Sequence, residues 1–169
     1  MRAFMHFDLL RMFAPAYQDN EDRIAIPYVE TYERVRYPHL PAKEIMEKVL
    51  KDLNEAEKIL EASDDPILKE VICTYSGKND FMANRQYRFN YWAVNALKAR
   101  VYLYMGDVEN ANHYAMKVIE ESPFTWVSET DVTSGDRIFM PELICGLNVP
   151  KLANYYETYF TSEKYSLSD

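Results

Sequence analysis

The fold class follows from one stretch of sequence, residues 90–123, which runs NYWAVNALKARVYLYMGDVENANHYAMKVIEESP. Apolar residues recur at steps of three and four on both sides of Gly106-Asp107, a pattern that predicts two helices joined by a tight turn. Gly106 stands where a helix C-cap favours a positive φ, and Asp107 can cap the helix that follows. We therefore expect a packed antiparallel helical hairpin, in which small side chains let the two backbones approach closely: Ala96, Ala99, Ala111 and Ala115.

The hairpin has the length of a tetratricopeptide unit, whose period is about 34 residues. Tyr102, Ala111 and Pro123 fall where that repeat pattern requires them. Asn95, Lys98 and Ala99 stand where the repeat prefers Trp, Leu and Gly, so the match is partial. The stretch predicts a tetratricopeptide-like helical repeat and leaves its chemistry open.

The composition favours a globular and mainly helical chain. Hydrophobic residues make up 48% of the 169 residues, and glycine occurs only 4 times, which disfavours Gly-rich phosphate loops and most all-β folds. The net charge of −8 argues against a nucleic-acid surface, because phosphate binding needs clustered Lys and Arg. No apolar run approaches the roughly 18–20 residues that span a bilayer, and the first residues contain no signal-peptide pattern.

The remaining helical patterns complete the predicted architecture. A mainly α fold is expected, with helices near residues 1–14, 42–62, 88–105 and 108–121 and long connecting loops. The connection at 15–41 is rich in proline and is predicted to be loop or extended chain. A few short strands are expected near the C-terminus, where short apolar runs occur within 136–148.

The chain is predicted to form a single helical-repeat domain over residues 1–169, with 124–169 as the start of an irregular C-terminal region. The first predicted helix is already apolar at its first residues and has no capping residue. We therefore expect the chain to be a fragment of a longer protein.

The sequence gives no positive sign of catalysis, and we expect no enzyme, no metal and no cofactor. The three histidines have no metal-ligand spacing among themselves or with the cysteines. Asp64-Asp65 is more simply a turn than a pair of catalytic carboxylates. Cys73 and Cys145 are two isolated cysteines, and the sequence leaves open whether they pair.

Arg100 is predicted to have a structural role. On a helical wheel Asn95 and Lys98 share one side of their helix, whereas Arg100 points roughly the other way, among apolar residues. A buried guanidinium needs a partner, and Asp52 on the preceding helix is the expected one.

Aromatic residues outside the helices are the candidates for binding. Sugar rings present apolar C–H faces that stack on flat aromatic surfaces, while Asn, Asp and Arg bind their hydroxyl groups. Packing in the core, or against other segments, is the alternative for these aromatics. The candidate ligand-binding residues are Trp126, Tyr155 and Tyr156, with Asn154, Asp131 and Arg137 near them in sequence.

Four stretches, taken in order, resemble the SusD-like (RagB/SusD) family. Arg2-Ala3-Phe4 through Phe13, followed by Ile26-Pro27, is similar to that family's "RA-x-x-hydrophobic" helix and proline-containing loop. Residues 45–60 are similar to its "I-x-x-DL-x-x-A-x-x-L" helix, and residues 96–111 to "A-x-x-AR-x-YL-x-x-GD-x-x-x-A". Residues 136–147, DRIFMPELICGL, resemble the strand that begins the family's C-terminal region.

The resemblance implies a function in nutrient capture and covers a middle portion of a typical family member. Such proteins are glycan-binding lipoproteins on the outer face of the outer membrane of certain Gram-negative bacteria. They are not enzymes, and they deliver oligosaccharides to a SusC-like TonB-dependent transporter. The implied lipid anchor concerns the parent protein, because its signal peptide and lipid-bearing cysteine have no counterpart in this chain. The alternative function is a tetratricopeptide-type scaffold that binds a protein segment in its groove.

Overall fold

The computed structural model describes residues 1–63, 65–72 and 82–161, with the side chain of residue 161 left out. Asp64, from the predicted Asp64-Asp65 turn, and Cys73 lie outside the described residues. The fold is mainly helical, as predicted. Its helices are α1 (Arg2–Phe13), α2 (Ala42–Ala62), α3 (Tyr91–Met105), α4 (Val108–Glu121), α5 (Glu129–Thr133) and α6 (Leu152–Tyr156).

The tight turn of the predicted hairpin joins α3 to α4. Gly106 has a φ of 84°, and its N–H donates to Leu103 O at 3.1 Å. The N–H of Asp107 donates to Tyr102 O at 2.9 Å, which completes a Schellman motif. The Asp107 side chain then accepts a hydrogen bond from Asn110 N at 3.0 Å and so caps α4. The tetratricopeptide-like hairpin is therefore confirmed, together with its capping residues.

Neighbouring helices pack in chain order, α1 on α2, α2 on α3 and α3 on α4. Burying an aliphatic or Phe side chain contributes about 1.5–3 kcal/mol, so this packing, more than helix propensity, holds the helices together. The larger core cluster lies among the first three of these helices and includes Phe7, Leu10, Ile45, Met46, Val49, Leu53, Val94 and Val101. A smaller cluster joins the 3₁₀ turn at Pro66–Leu68 to α3 and α4 through Ile67, Tyr91, Trp92 and Val118.

The strands lie in a different part of the chain from the one predicted. β1 (Ile24–Pro27) and β2 (His39–Pro41) form a two-stranded antiparallel sheet inside the proline-rich connection. The prediction of strands within 136–148 is wrong, since the backbone there forms turns and a 3₁₀ helix at Met140–Glu142.

The physical reason for that error is a side chain that competes with strand pairing. Asp136 accepts hydrogen bonds from Ile138 N at 3.0 Å and from Met140 N at 2.8 Å. Both N–H groups are therefore used locally, as is common for Asp in turns. Phe139 has a φ of 54°, and Pro141 has no N–H to donate to a strand.

The predicted pairing of Arg100 with Asp52 is also wrong. The side chain of Arg100 is 52% exposed, and it lies 3.9 Å from the carboxylate of Asp8. Asp52 instead accepts two hydrogen bonds of 2.6 Å from the Arg2 guanidinium and one of 2.7 Å from the Tyr28 hydroxyl.

The opposite face of α3 buries two polar side chains. Asn95 and Lys98 have no exposed surface. Lys98 donates to Glu57 on α2, and its Nζ lies 4.7 Å from the ring centre of Tyr114 on α4. Lys117 donates to the same carboxylate at 2.9 Å. Burial alone would raise the pKa of Glu57, but these two ammonium groups outweigh that effect and hold it below its ordinary value.

In the part of the chain that the structure describes, no helix combines the length and the apolar character needed to cross a bilayer.

Candidate functional site

An open pocket lies where the C-terminal end of α4 meets two irregular segments, 124–126 and 142–144. Its cavity volume is about 140 Å³, which leaves room for a group larger than one water molecule. The segments come together because Thr125 N donates to Pro141 O at 3.2 Å and Val127 N donates to Glu142 Oε1 at 2.8 Å. We call this space the Trp126 pocket.

One side of the Trp126 pocket is apolar and aromatic. The Trp126 residue is 76% exposed, so its indole face is open to solvent. Ile119 on α4 is 54% exposed, whereas Val118 on the same helix is buried. Phe124 and Ile144 are partly buried and pack on the smaller core cluster. This side of the pocket is therefore packed on the core through Phe124 and Ile144 and open to solvent at Trp126 and Ile119.

The polar side of the pocket is supplied by Ser122, Thr125 and Glu142. Glu142 Oε1 is occupied by Val127 N. Among the described residues, no donor reaches the second carboxylate oxygen of Glu142. That oxygen can accept a hydrogen bond from a ligand, and the two hydroxyl groups can donate or accept. An open apolar face beside a few polar groups is the usual composition of a small-molecule site.

Of the predicted binding residues, only Trp126 lines this pocket. Asp131 is used by α5, since its Oδ2 accepts from Ser128 N at 2.9 Å and from Ser128 Oγ at 2.6 Å in a capping box. These hydrogen bonds, the one from the Ser128 side chain first, hold the pKa of Asp131 below its ordinary value. Arg137 is exposed in the turn that follows α5.

Tyr155, Tyr156 and Asn154 lie on α6 and do not line the Trp126 pocket. The two tyrosines are 51% and 58% exposed. The Tyr156 ring stacks on Phe160 with 5.9 Å between ring centres. Within the described residues, no hydrogen bond or ring contact joins these two tyrosines to Trp126. They form a second exposed aromatic surface, which we call the α6 surface.

Sequence reasoning missed Glu142, Thr125, Ser122 and Phe124. Phe124 had a usable signal, because it lies two residues from Trp126 in the same irregular segment. Glu142 had none, since its hydrogen bond to Val127 N spans 15 residues of irregular chain and follows no helical or strand period.

Among the described residues, no three His, Cys, Asp or Glu side chains are placed to hold a metal ion. Cys145 is exposed and has a free thiol, while Cys73 is outside the described ranges.

Comparison with known proteins relates this chain to others by its fold. No protein-family model matches the sequence, and no curated protein matches it significantly. A solved structure of a SusD superfamily protein from Bacteroides thetaiotaomicron matches with a TM-score of 0.57 and 23% sequence identity. The match covers 78% of this chain and 25% of that protein, so the chain spans about a quarter of its length. The SusD-like fold implied by the resemblance is thereby supported over most of the chain.

Proposed function

We propose that this chain is the helical scaffold of a non-enzymatic oligosaccharide-binding protein and that the Trp126 pocket contacts the sugar. The observation that carries the proposal is the indole of Trp126, which is 76% exposed beside an apolar cleft. The SusD-like fold supports it independently.

The pocket chemistry agrees with a sugar better than with a purely apolar ligand. A pyranose ring has an apolar C–H face for the indole and outward hydroxyl groups for Glu142 and Thr125. Glu142 and Trp126 both line the pocket, and the second carboxylate oxygen of Glu142 is available as a hydrogen-bond acceptor. A carboxylate accepts hydroxyl donors through charge-assisted hydrogen bonds, which are stronger than neutral ones.

The α6 surface is proposed as an extension of the binding surface for longer oligosaccharides. Tyr155 and Tyr156 are exposed, with Asn154 on the same short helix. Asp131 and Arg137 belong to this proposal as flanking polar groups at α5 and the turn after it.

In the intact parent protein, we propose capture of glycans at the outward face of the outer membrane and delivery to a SusC-like TonB-dependent transporter. The sequence resemblance and the SusD-like fold support this proposal for the parent protein. The lipid anchor that the resemblance implies would hold the parent protein at the membrane. A transporter gene directly upstream of the parent gene would support delivery, and a neighbourhood without one would count against it.

Binding to an array of immobilised oligosaccharides, followed by calorimetry with the best soluble ligand, tests the proposed function. We expect saturable binding that the free oligosaccharide competes away. Binding to no sugar on an array that includes plant, host and microbial glycans would contradict the proposal. The tetratricopeptide-type scaffold for a protein segment would then be the better hypothesis.

A further inference from the structure

Asn90 is buried at the start of α3 and contacts both the helical scaffold and the Trp126 pocket. The residue has no exposed surface. Its Oδ1 accepts a hydrogen bond from Ala93 N at 3.0 Å, which caps α3. Its Nδ2 donates to Ile144 O at 2.9 Å, and Ile144 lines the pocket. One carboxamide group therefore joins the hairpin to residues 142–146, which we call the pocket wall.

The amide nitrogen of the Asn90 side chain makes its shortest hydrogen bond to the pocket wall. Nδ2 carries two hydrogens and faces three carbonyl oxygens, those of Arg85 and Arg88 at 3.3 Å and that of Ile144 at 2.9 Å. The shortest distance belongs to the bond that spans 54 residues. Capping α3 needs only the acceptor half, which a Ser or Asp side chain also supplies. The amide donor is what Asn adds at this position.

A backbone hydrogen bond and packing hold the same wall near Asn90. Gly146 N donates to Gln86 O at 2.8 Å, in the buried 3₁₀ turn that precedes α3. The Ile144 side chain packs on the cluster that includes Trp92. At its other end the wall is held by Glu142, through Val127 N.

We propose that Asn90 is a positioning residue for the Trp126 pocket. It holds residues 142–146 against α3, so that Ile144 and Glu142 face Trp126 at a fixed separation. This inference rests on the proposed function for its effect on sugar affinity. The attachment of the wall to α3 can be measured without any ligand.

Asn90→Ser tests the proposal, because the serine hydroxyl keeps the helix cap and removes the donor to Ile144 O. Asp107→Ser is the matched control, since it makes the same cap-preserving change at the start of α4, at the far end of that helix from the pocket. Amide hydrogen exchange and calorimetric titration with the best array oligosaccharide are measured on both variants and on the unchanged protein.

The loss of one hydrogen bond of ordinary strength should change an amide exchange rate or a dissociation constant by about fivefold to tenfold. In Asn90→Ser we expect the amide of Gly146 to exchange faster by about that factor, while amides beyond the first turn of α3 and those inside α4 keep their rates. Oligosaccharide affinity should fall by a similar factor, and Asp107→Ser should change neither quantity.

Two results would overturn the positioning role: unchanged exchange at Gly146 in Asn90→Ser, or faster exchange at every amide by one common factor. The second result would mean that Asn90 only stabilises the fold. If the unchanged protein binds no oligosaccharide, the proposed function fails, whereas the exchange data still decide whether Asn90 holds the wall.

The unchanged protein provides a test that needs no variant. If Asn90 joins the cap and the wall, the amides of Ala93 and Gly146 should open together and show the same protection. Exchange at Gly146 that is more than about a hundredfold faster than at Ala93 would show that the wall moves independently, against the proposal.

Discussion

The carboxylate of Asp52 joins three parts of the fold. Lying on α2, it binds the guanidinium of Arg2 on α1 with both oxygens and accepts from the hydroxyl of Tyr28, which follows β1. Its side chain is 15% exposed, against 41% for Arg2, so the pair is partly shielded from water. A bidentate, partly buried pair is more strongly coupled than an exposed ion pair.

A double-mutant cycle on Arg2→Met and Asp52→Asn should therefore give a coupling free energy of about 0.5–3 kcal/mol in urea unfolding. The control cycle pairs Asp52→Asn with Arg100→Leu, and we expect additive losses because these two side chains do not meet. Coupling in the control cycle, with none between Arg2 and Asp52, would contradict the observed arrangement.

The same carboxylate should make stability depend on pH. The hydrogen bond from Arg2, more than any other interaction, holds the pKa of Asp52 below its ordinary value. A folded pKa below the unfolded one stabilises the protein above the unfolded pKa of about 4, and this contribution is lost as the pH falls through the folded pKa.

We expect the free energy of unfolding to fall between about pH 5 and pH 2, and to fall less steeply in Asp52→Asn. Urea unfolding at intervals across this range measures the slope. Equal slopes for the two proteins would contradict the role of Asp52.

Among the helices, the α3–α4 hairpin depends most clearly on one residue at its turn. Gly106 has a φ of 84°, and a Cβ built on it would lie 2.6 Å from the side-chain nitrogen of Gln18. A substitution there meets both backbone strain and a steric clash with a flexible side chain.

Gly106→Ala should lower the free energy of unfolding by about 1–2 kcal/mol, because a non-glycine residue pays that cost in the left-handed region. Adding Gln18→Ala should relieve only the clash. Gly135→Ala is the control for strain alone, since Gly135 has a φ of 100° and no atom within 4 Å of the added Cβ. A neutral Gly106→Ala in thermal unfolding would contradict the observed turn.

The existence and the approximate ends of the four long helices could be predicted, because apolar spacing and capping residues are local signals. α3 begins at Tyr91, later than the predicted 88, since Asn90 supplies the cap. The burial of Lys98 on α3 could not be predicted from the helical wheel. Lys98 is buried because Glu57 and Tyr114, on other helices, neutralise and cover its ammonium group.

For the molecule as a whole, the order of the helical motifs predicted a SusD-like fold, and the solved structure from Bacteroides thetaiotaomicron supports it. The candidate site was predicted only in part. Trp126 could be found because a large aromatic in polar, turn-rich chain has no local reason to be core. Glu142 and Ile144 could not, since long-range hydrogen bonds to Val127 and Asn90 place them.

The central claim is that exposed aromatics of this scaffold bind sugar and do not support the core. Fold stability should change little when Trp126 is replaced by Ala, since an exposed ring holds little of the core together. We expect an equally small change in fold stability for Tyr155→Ala and Tyr156→Ala on the α6 surface. Tyr32→Ala is the matched control, because Tyr32 is fully exposed and lies outside both surfaces.

Calorimetric titration of Trp126→Ala with the best oligosaccharide, alongside its melting temperature, tests this claim most directly. By comparison with the loss of a base–aromatic stack, binding should weaken by about 1–3 kcal/mol, while Tyr32→Ala keeps the original affinity. The melting temperatures of both variants should stay close to that of the unchanged protein. Unchanged affinity together with a lower melting temperature in Trp126→Ala would place this ring in the core and the sugar site elsewhere.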